Sequence, residues 1–298
     1  ADYKDINGNT NYEAALKYYK AEEEKARKSD NPHVLAMRKM NKPLVPSDMW
    51  QTNKGHLLPI NESLNREKAL NKDKQVFCVM QNRYSPPSEW IKSIVEDGIL
   101  GKIFIVQLNC YWNRDDRYYK QGGWKGTKEL DGGTLFTQFS HFIDIMYWLC
   151  GDIENIQGNF KDFTHQESTS FEDSGLVTFD FMKGGMGVLN YSTAVWDKNL
   201  ESSLTIIGSK GSVKVGGQYM NEVEYCHIEG YEMPVLPPSN PANDYGPYKG
   251  SAANHNYVIE NVVDTLNGKA TTTTNALEGM KVVDIIERIY KVRDEQGY

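Results

Sequence analysis

His141 and Asp144 interrupt an otherwise apolar segment that reads Asp131-Gly-Gly-Thr-Leu-Phe-Thr-Gln-Phe-Ser-His-Phe-Ile-Asp-Ile-Met-Tyr-Trp-Leu-Cys-Gly-Asp152. An imidazole is the side chain best suited to move a proton near neutral pH, because its unperturbed pKa is about 6.5. Helical spacing sets Thr137 and Gln138 one turn before His141 and Asp144, so four polar groups share one edge that can face a pocket. Paired glycines before the segment and Gly151 after it mark a helix over 133–150. A histidine on an apolar helix is also commonly a hydrogen-bonded core residue. The residues just upstream favour chemistry instead: Tyr111-Trp-Asn-Arg-Asp-Asp-Arg-Tyr-Tyr-Lys120 and Trp124-Lys-Gly-Thr127 crowd basic, aromatic and amide groups together. That mixture suits an anionic, hydroxylated ligand carrying a ring. Arg83, Arg114, Arg117 and Lys125 are the candidates to meet a phosphate or carboxylate, and Tyr84, Tyr118, Tyr119 and Trp124 the candidates to stack on the ring.

The elements that must hold these groups follow from periodicity. Val76 to Met80 is an apolar run of strand length, ending in the polar turn Gln81-Asn-Arg-Tyr-Ser-Pro-Pro87. Trp90, Ile91, Ile94 and Val95 mark an amphipathic helix over 88–98. A long strand is expected over 102–112, then strands at 153–163, 175–182, 186–194, 202–207, 212–215 and 222–228, with Lys183-Gly-Gly185 and Gly208-Ser-Lys-Gly211 as hairpin turns. The result is a large, mainly antiparallel sheet. Pro234 to Gly250 reads as a loop, and helices at 257–266 and 276–292 close the chain. Residues 1–75 are rich in Lys, Glu and Asn, with one helical stretch at 11–28.

The 298 residues carry 33 basic and 40 acidic side chains, a net charge of −7, so no global positive field recommends nucleic acid or an anionic membrane as a partner. Apolar runs are too short to span a bilayer and no signal segment opens the chain, so a cytoplasmic protein with a small-molecule partner is expected. Cys78, Cys110, Cys150 and Cys226 lie far apart in apolar segments and read as reduced core thiols. The histidines show no metal-ligand spacing, and no metal is expected.

Three segments, taken in order, resemble successive signatures of the Gfo/Idh/MocA family of nicotinamide-dependent sugar dehydrogenases. They are Ile91-Lys-Ser-Ile-Val-Glu-Asp-Gly-Ile-Leu-Gly-Lys-Ile103, then Asp131-Gly-Gly133 with His141 and Asp144, then Leu204-Thr-Ile-Ile-Gly-Ser-Lys-Gly-Ser-Val213. The wording Trp112-Asn-Arg114, Trp124-Lys-Gly-Thr127 and Gly133-Thr-Leu-Phe-Thr-Gln-Phe-Ser-His141 is similar to the branch that oxidises the 3-hydroxyl of UDP-N-acetylglucosaminuronic acid for bacterial surface polysaccharide, including lipopolysaccharide. The resemblance covers residues 80–298. It implies an α/β Rossmann-like nucleotide-binding domain, here 1–87, followed by an α+β open-sheet domain, 88–298, that binds substrate and builds a homodimer or homotetramer through its sheet. No Gly-x-Gly-x-x-Gly precedes residue 80, so the first domain is expected to be incomplete.

The resemblance also implies NAD as cofactor, with NADP left open. It makes His141 and Lys42 the catalytic pair, since Asn41-Lys-Pro-Leu-Val45 resembles the family's Glu-Lys-Pro motif; which of the two is the base stays open. Cofactor contacts are expected from Asn82, Lys42 and Pro43. Substrate contacts are expected from Arg83, Tyr84, Asn113, Arg114, Tyr118, Trp124, Lys125, Thr127, Thr137, Gln138 and Asp144. Two other functions fit the same residues: a dehydrogenase of a free sugar or inositol, and a non-catalytic sugar-nucleotide-binding protein.

Overall fold

The computed structural model describes residues 76–119 and 123–297. The expected helix at 11–28, Lys42 and Pro43 lie outside the described residues. In chain order the elements are a single 3-10 turn Gln81–Tyr84, α1 (Pro86–Glu96), β1 (Ile103–Tyr111), α2 (Lys128–Asp131), a π-turn Leu135–Phe139, and α3 (Ser140–Cys150). Strands β2 (Ile153–Lys161), β3 (Ser174–Phe181), β4 (Met186–Ser192), β5 (Glu201–Gly208), β6 (Gly211–Gly216) and β7 (Glu222–Ile228) follow. A small hairpin, β8 (Ala242–Asp244) and β9 (Lys249–Ala252), then leads into α4 (His255–Leu266) and α5 (Ala276–Asp294).

The seven long strands form one sheet in the order β2-β3-β4-β1-β5-β6-β7. All neighbours are antiparallel except β1 and β4, which run parallel with Leu108 opposite Leu189, while Leu108 also faces Leu204 of antiparallel β5. A parallel pair needs a long crossover. Here that crossover contains α2, α3 and the β2–β3 hairpin, and this is how the histidine-bearing helix comes to lie on the sheet.

Alternation along the strands turns Val106, Leu108, Val177, Phe179, Leu189, Leu204, Ile206 and Val213 inward, and α3 buries Phe142, Ile143 and Met146 against them. Each such side chain contributes roughly 1.5–3 kcal/mol by leaving water. Helices α1 and α5 flank α3. The other face of the sheet leaves Phe104, Leu176, Met186 and Tyr225 exposed.

Four expectations change. Residues 76–80 are extended but join no strand; one backbone bond, from Cys78 N to Thr274 O at 2.9 Å, ties them to the α4–α5 connection. The helix expected over 133–150 runs from 134 to 150, with residues 135–139 wound as a π-turn rather than as α-helix. Residues 234–250, read as loop, contribute the β8–β9 hairpin. No disulfide joins the four cysteines, but Cys78 and Cys226 are only half-buried, so two of the four are not core thiols. Gly133 is fixed by packing: at φ 119° it approaches Tyr290 so closely that a Cβ would lie 2.5 Å from the phenol oxygen. That phenol in turn accepts the Leu135 amide at 2.7 Å, holding the start of the π-turn.

Candidate active site

Three groups of buried polar side chains surround α3. At its N-terminus, the half-buried His141 meets the turn at 81–84, with Gln81 Nε2 lying 3.4 Å from His141 Nε2. With the amide nitrogen donating, the imidazole nitrogen is the acceptor, the form in which it can take a proton. Gln81 and the neighbouring Asn82 are both buried, and Gln81 Oε1 and Asn82 Nδ2 have no hydrogen-bond partner among the described residues. An acceptor and a donor left open beside a histidine fit a ligand that carries both, such as a carboxamide or a sugar hydroxyl. Asn82 Oδ1 accepts from the Ser251 hydroxyl of β9, so this turn and the hairpin fix one another.

The second group is an ion-paired knot. Arg83 and Asp144, both expected to touch substrate, pair with each other: Nε donates to Asp144 Oδ2 at 2.8 Å and Nη2 to Oδ1 at 2.7 Å. Arg83 Nη1 also donates to Glu278 Oε1 and to Thr273 O, each at 2.9 Å, and the guanidinium lies 5.1 Å from the Trp148 ring. Burial raises the Asp144 carboxyl, the Arg83 charge opposing it. A fork bonded to two carboxylates and a carbonyl locks α3 to α5 and offers little to a ligand.

Arg114 centres the third group, and it differs. It is 2% exposed, yet among the described residues its partners are all neutral: Nε donates to Gln138 Oε1 at 2.5 Å, Nη1 to Asn113 O at 2.6 Å and Asn199 Oδ1 at 3.1 Å, and Nη2 to Lys249 O at 3.0 Å. Aromatic rings cover it, with the guanidinium carbon 4.6 Å from Trp112, 5.3 Å from Tyr118 and 5.1 Å from Tyr248. Burial lowers its pKa, the direction expected where no acid compensates lost hydration. Lys125 Nζ adds a second cation 3.7 Å from the Tyr118 ring and 3.2 Å from Tyr248 Oη. Gln138 links this cage to the π-turn by donating to Tyr118 Oη at 2.7 Å and to Thr137 Oγ1 at 3.3 Å. Because Gln138 stands three residues before His141, the cage and the histidine sit on adjoining turns of one element.

Asp131 lies against the cage. Its Oδ2 accepts the Gly126 amide at 2.8 Å, and Oδ1 has no partner at hydrogen-bonding geometry among the described residues. Burial pushes this carboxyl up to about 6, partly offset by the Gly126 amide, Thr137 and Lys125.

Other expected contacts are placed elsewhere. Tyr84 stacks on Tyr257 of α4, with centroids 6.1 Å apart. Asn113 ties the end of β1 to the chain after β4, donating from Nδ2 to Val195 O at 2.7 Å. Arg117 is half-exposed and pairs with Asp115 at 2.7 Å. Thr127 donates to Trp124 O at 2.7 Å, and Trp124 itself is exposed. Sequence reading missed Tyr245 and Tyr248, which stack at 5.0 Å and complete the cage, and gave no weight to His165. The repeated tyrosines in Asn243-Asp-Tyr-Gly-Pro-Tyr248 were the available signal.

Residues 89–214 match the family described as the GFO/IDH/MocA C-terminal domain. Among solved structures, the chain is similar to the WlbA dehydrogenase from Bordetella pertussis in complex with NADH and UDP-GlcNAcA, at 27% identity and TM-score 0.65, covering 81% of this chain and 68% of that one. It is also similar to the WlbA dehydrogenase from Chromobacterium violaceum with the same two ligands, at 29% identity and TM-score 0.66, covering 78% and 65%. Levoglucosan dehydrogenase in complex with NADH and levoglucosan shares the fold at 16% identity and TM-score 0.64, covering 82% and 70%. The chain thus spans about two thirds of the length of these proteins, from 65% to 70%. Comparison with curated proteins gives no match.

Proposed function

We propose that this chain, whose residues 89–214 form a Gfo/Idh/MocA C-terminal domain, is the substrate-binding part of a cytoplasmic NAD-dependent dehydrogenase that oxidises a secondary hydroxyl of a UDP-linked sugar acid. Residues 1–87 would belong to the nucleotide-binding part. The observation that carries the reading is Arg114: a buried cation whose partners are all neutral, with Lys125 beside it and tyrosine rings around both. Asp131 stands near Lys125, but among the described residues no acid pairs with Arg114, and an anion is what completes its site. A free sugar or inositol would leave that charge unanswered. The WlbA complexes, which hold UDP-GlcNAcA, support the choice of a nucleotide-linked uronate.

NAD, when bound, supplies the hydride acceptor. The chain's own residues do the rest. His141, with Nε2 as an acceptor, takes the proton of the reacting hydroxyl. Gln81 Oε1 and Asn82 Nδ2 offer the open acceptor and donor that orient groups beside it. Gln138 and Thr137 hold the cage in register with the histidine. Lys42 would serve with His141. Homo-oligomerisation through the outer sheet face, where Phe104, Leu176 and Met186 are exposed, belongs to the same reading.

Thermal shift with NAD, and then with UDP-N-acetylglucosaminuronic acid against myo-inositol, tests it. Stabilisation by NAD and by the nucleotide sugar alone is expected. Stabilisation by inositol alone would move the reading to a free polyol, and no response to NAD would leave only a sugar-nucleotide-binding protein. His141→Ala is expected to abolish turnover with the fold intact; unchanged turnover would remove His141 from the chemistry.

A further inference from the structure

Behind the cage, on the connection between β2 and β3, lies a histidine that the proposed reaction does not use. His165 is buried, and both its ring nitrogens face acceptors. Nε2 contacts the main-chain oxygen of Arg114, a group that can only accept. Nδ1 lies 3.0 Å from Asp173 Oδ2 and 3.1 Å from the Thr164 hydroxyl, whose one proton is given to that same carboxylate oxygen, so it too meets the ring as an acceptor. That carboxylate is held ionised by four further donors: the amides of Phe163 and Thr164 at 2.9 Å, the Thr164 hydroxyl at 3.1 Å, and the Ser174 hydroxyl at 2.7 Å on the other oxygen. A neutral imidazole carries one N–H and cannot satisfy both contacts. Two acceptor partners therefore require two ring protons, an imidazolium.

Among the described residues, every charged or titratable group facing the ring favours or tolerates that charge, save one. Asp162, on the same connection, takes the His165 amide at 2.8 Å. Asp173 comes from the start of β3, and the Tyr119 ring packs edge-on at 5.3 Å. Only the Arg114 guanidinium opposes, and it points into its aromatic cage. Burial lowers the affinity of His165 for its proton, yet Asp173, the Arg114 carbonyl and Asp162 together hold it above the ordinary histidine value.

We propose that His165 is a positioning residue: as an imidazolium it pins the Arg114 carbonyl to the β2–β3 connection, and ligand affinity of the cage falls when that proton is lost. The proposal rests on the reading of the Arg114 cage as the binding site for an anionic sugar nucleotide. Its logic is one of tautomers. When the ring becomes neutral, the remaining proton stays on Nδ1 beside the carboxylate, the stronger acceptor, so the Nε2 lone pair turns against the Arg114 oxygen. The residue that carries the unpaired cation then loses its main-chain tether, while its Arg114 N–Thr193 O bond at 2.9 Å remains.

Two measurements on the full chain test this. Side-chain NMR is expected to show the His165 imidazole titrating above 6.5 and the Arg114 Nε–H resonance moving with it. The Arg114 signal is expected to stay still in His165→Gln, whose amide donates to the carbonyl at every pH. Calorimetry with UDP-N-acetylglucosaminuronic acid is expected to show affinity falling about tenfold as pH rises through that titration, with the fall absent in His165→Gln and weak binding at all pH in His165→Leu. An imidazole that titrates at or below 6.5, an Arg114 resonance indifferent to it, or a His165→Gln protein with the wild-type pH profile overturns the proposal. Failure of the wild type to bind the nucleotide sugar would count against the functional reading alone, because the co-titration of Arg114 is read without ligand. If His165→Gln fails to fold, the wild-type titration still decides.

Discussion

Arg83 and Arg114 are both large cations shut away from water, and they are held in opposite ways. Arg83 answers Asp144 with a two-pronged salt bridge and takes Glu278 besides. Among the described residues, Arg114 receives only amide and carbonyl oxygens and ring faces. A third buried arginine, Arg293, follows the first pattern, meeting Glu172 at 2.6 Å. Arg83 and Arg293 are each answered by an acid, whereas among the described residues none answers Arg114, which is what the proposed anion site requires. Burial alone does not separate the two uses. The partner list does.

The largest expected effect breaks the architectural side. Arg83→Met leaves Asp144 as an uncompensated buried charge and is expected to lower unfolding free energy by about 3–5 kcal/mol, with most of it regained in Arg83→Met/Asp144→Leu. Denaturant titration of the two proteins checks this, and an equal loss in both would mean that the pair is not what matters. Next comes Arg114→Met, which should weaken UDP-N-acetylglucosaminuronic acid binding by about 30-fold, roughly 2 kcal/mol. Unchanged affinity with a large drop in stability would make Arg114 architectural after all.

Asp131 sharpens the comparison from the acid side. Its folded pKa of about 6 lies above the ordinary value of 3.8. The folded state therefore prefers the protonated form, and stability contributed by this group rises as pH falls from about 6 towards 3.8 and is forfeited above 6. Asp131→Asn is accordingly expected to raise stability near pH 7 by about 1–3 kcal/mol, an advantage that fades below about pH 4. A melting-temperature difference that does not change with pH would refute the account. The smallest effect concerns Asn275, whose side chain accepts the Glu278 amide at 3.0 Å while Glu278 Oε2 accepts the Asn275 amide at 3.0 Å, a reciprocal cap on α5. Asn275→Ala should cost about 1 kcal/mol, and, because Glu278 also holds Arg83, its effect should shrink in the Arg83→Met background, as a double-mutant cycle would show.

Strand positions were legible in the sequence because alternation at β1 and β3 to β7 is enforced by one buried face, and the two hairpin turns follow from their glycines. The parallel pairing of β1 with β4 was not legible, since nothing local distinguishes a strand's two neighbours. The clustering of basic and aromatic residues before α3 was visible, but the division of labour within it was not. Arg83 and Arg114 look alike in sequence; only the distant Asp144 and Glu278, absent around Arg114, tell them apart. The second half of the cage, Tyr245 and Tyr248, comes from more than 90 residues downstream, beyond the reach of spacing arguments. His165 gave no signal because its meaning depends on a main-chain oxygen.

Strand β1 is early in the sequence and central in the sheet. Its parallel neighbour begins at Met186 and its antiparallel neighbour at Glu201, while β2 and β3 can pair with each other as soon as they exist. During synthesis this strand therefore waits with both edges unsatisfied until Met186–Ser192 has emerged, and with one edge unsatisfied until Gly208. Such delayed closure makes for slow folding and a sticky intermediate.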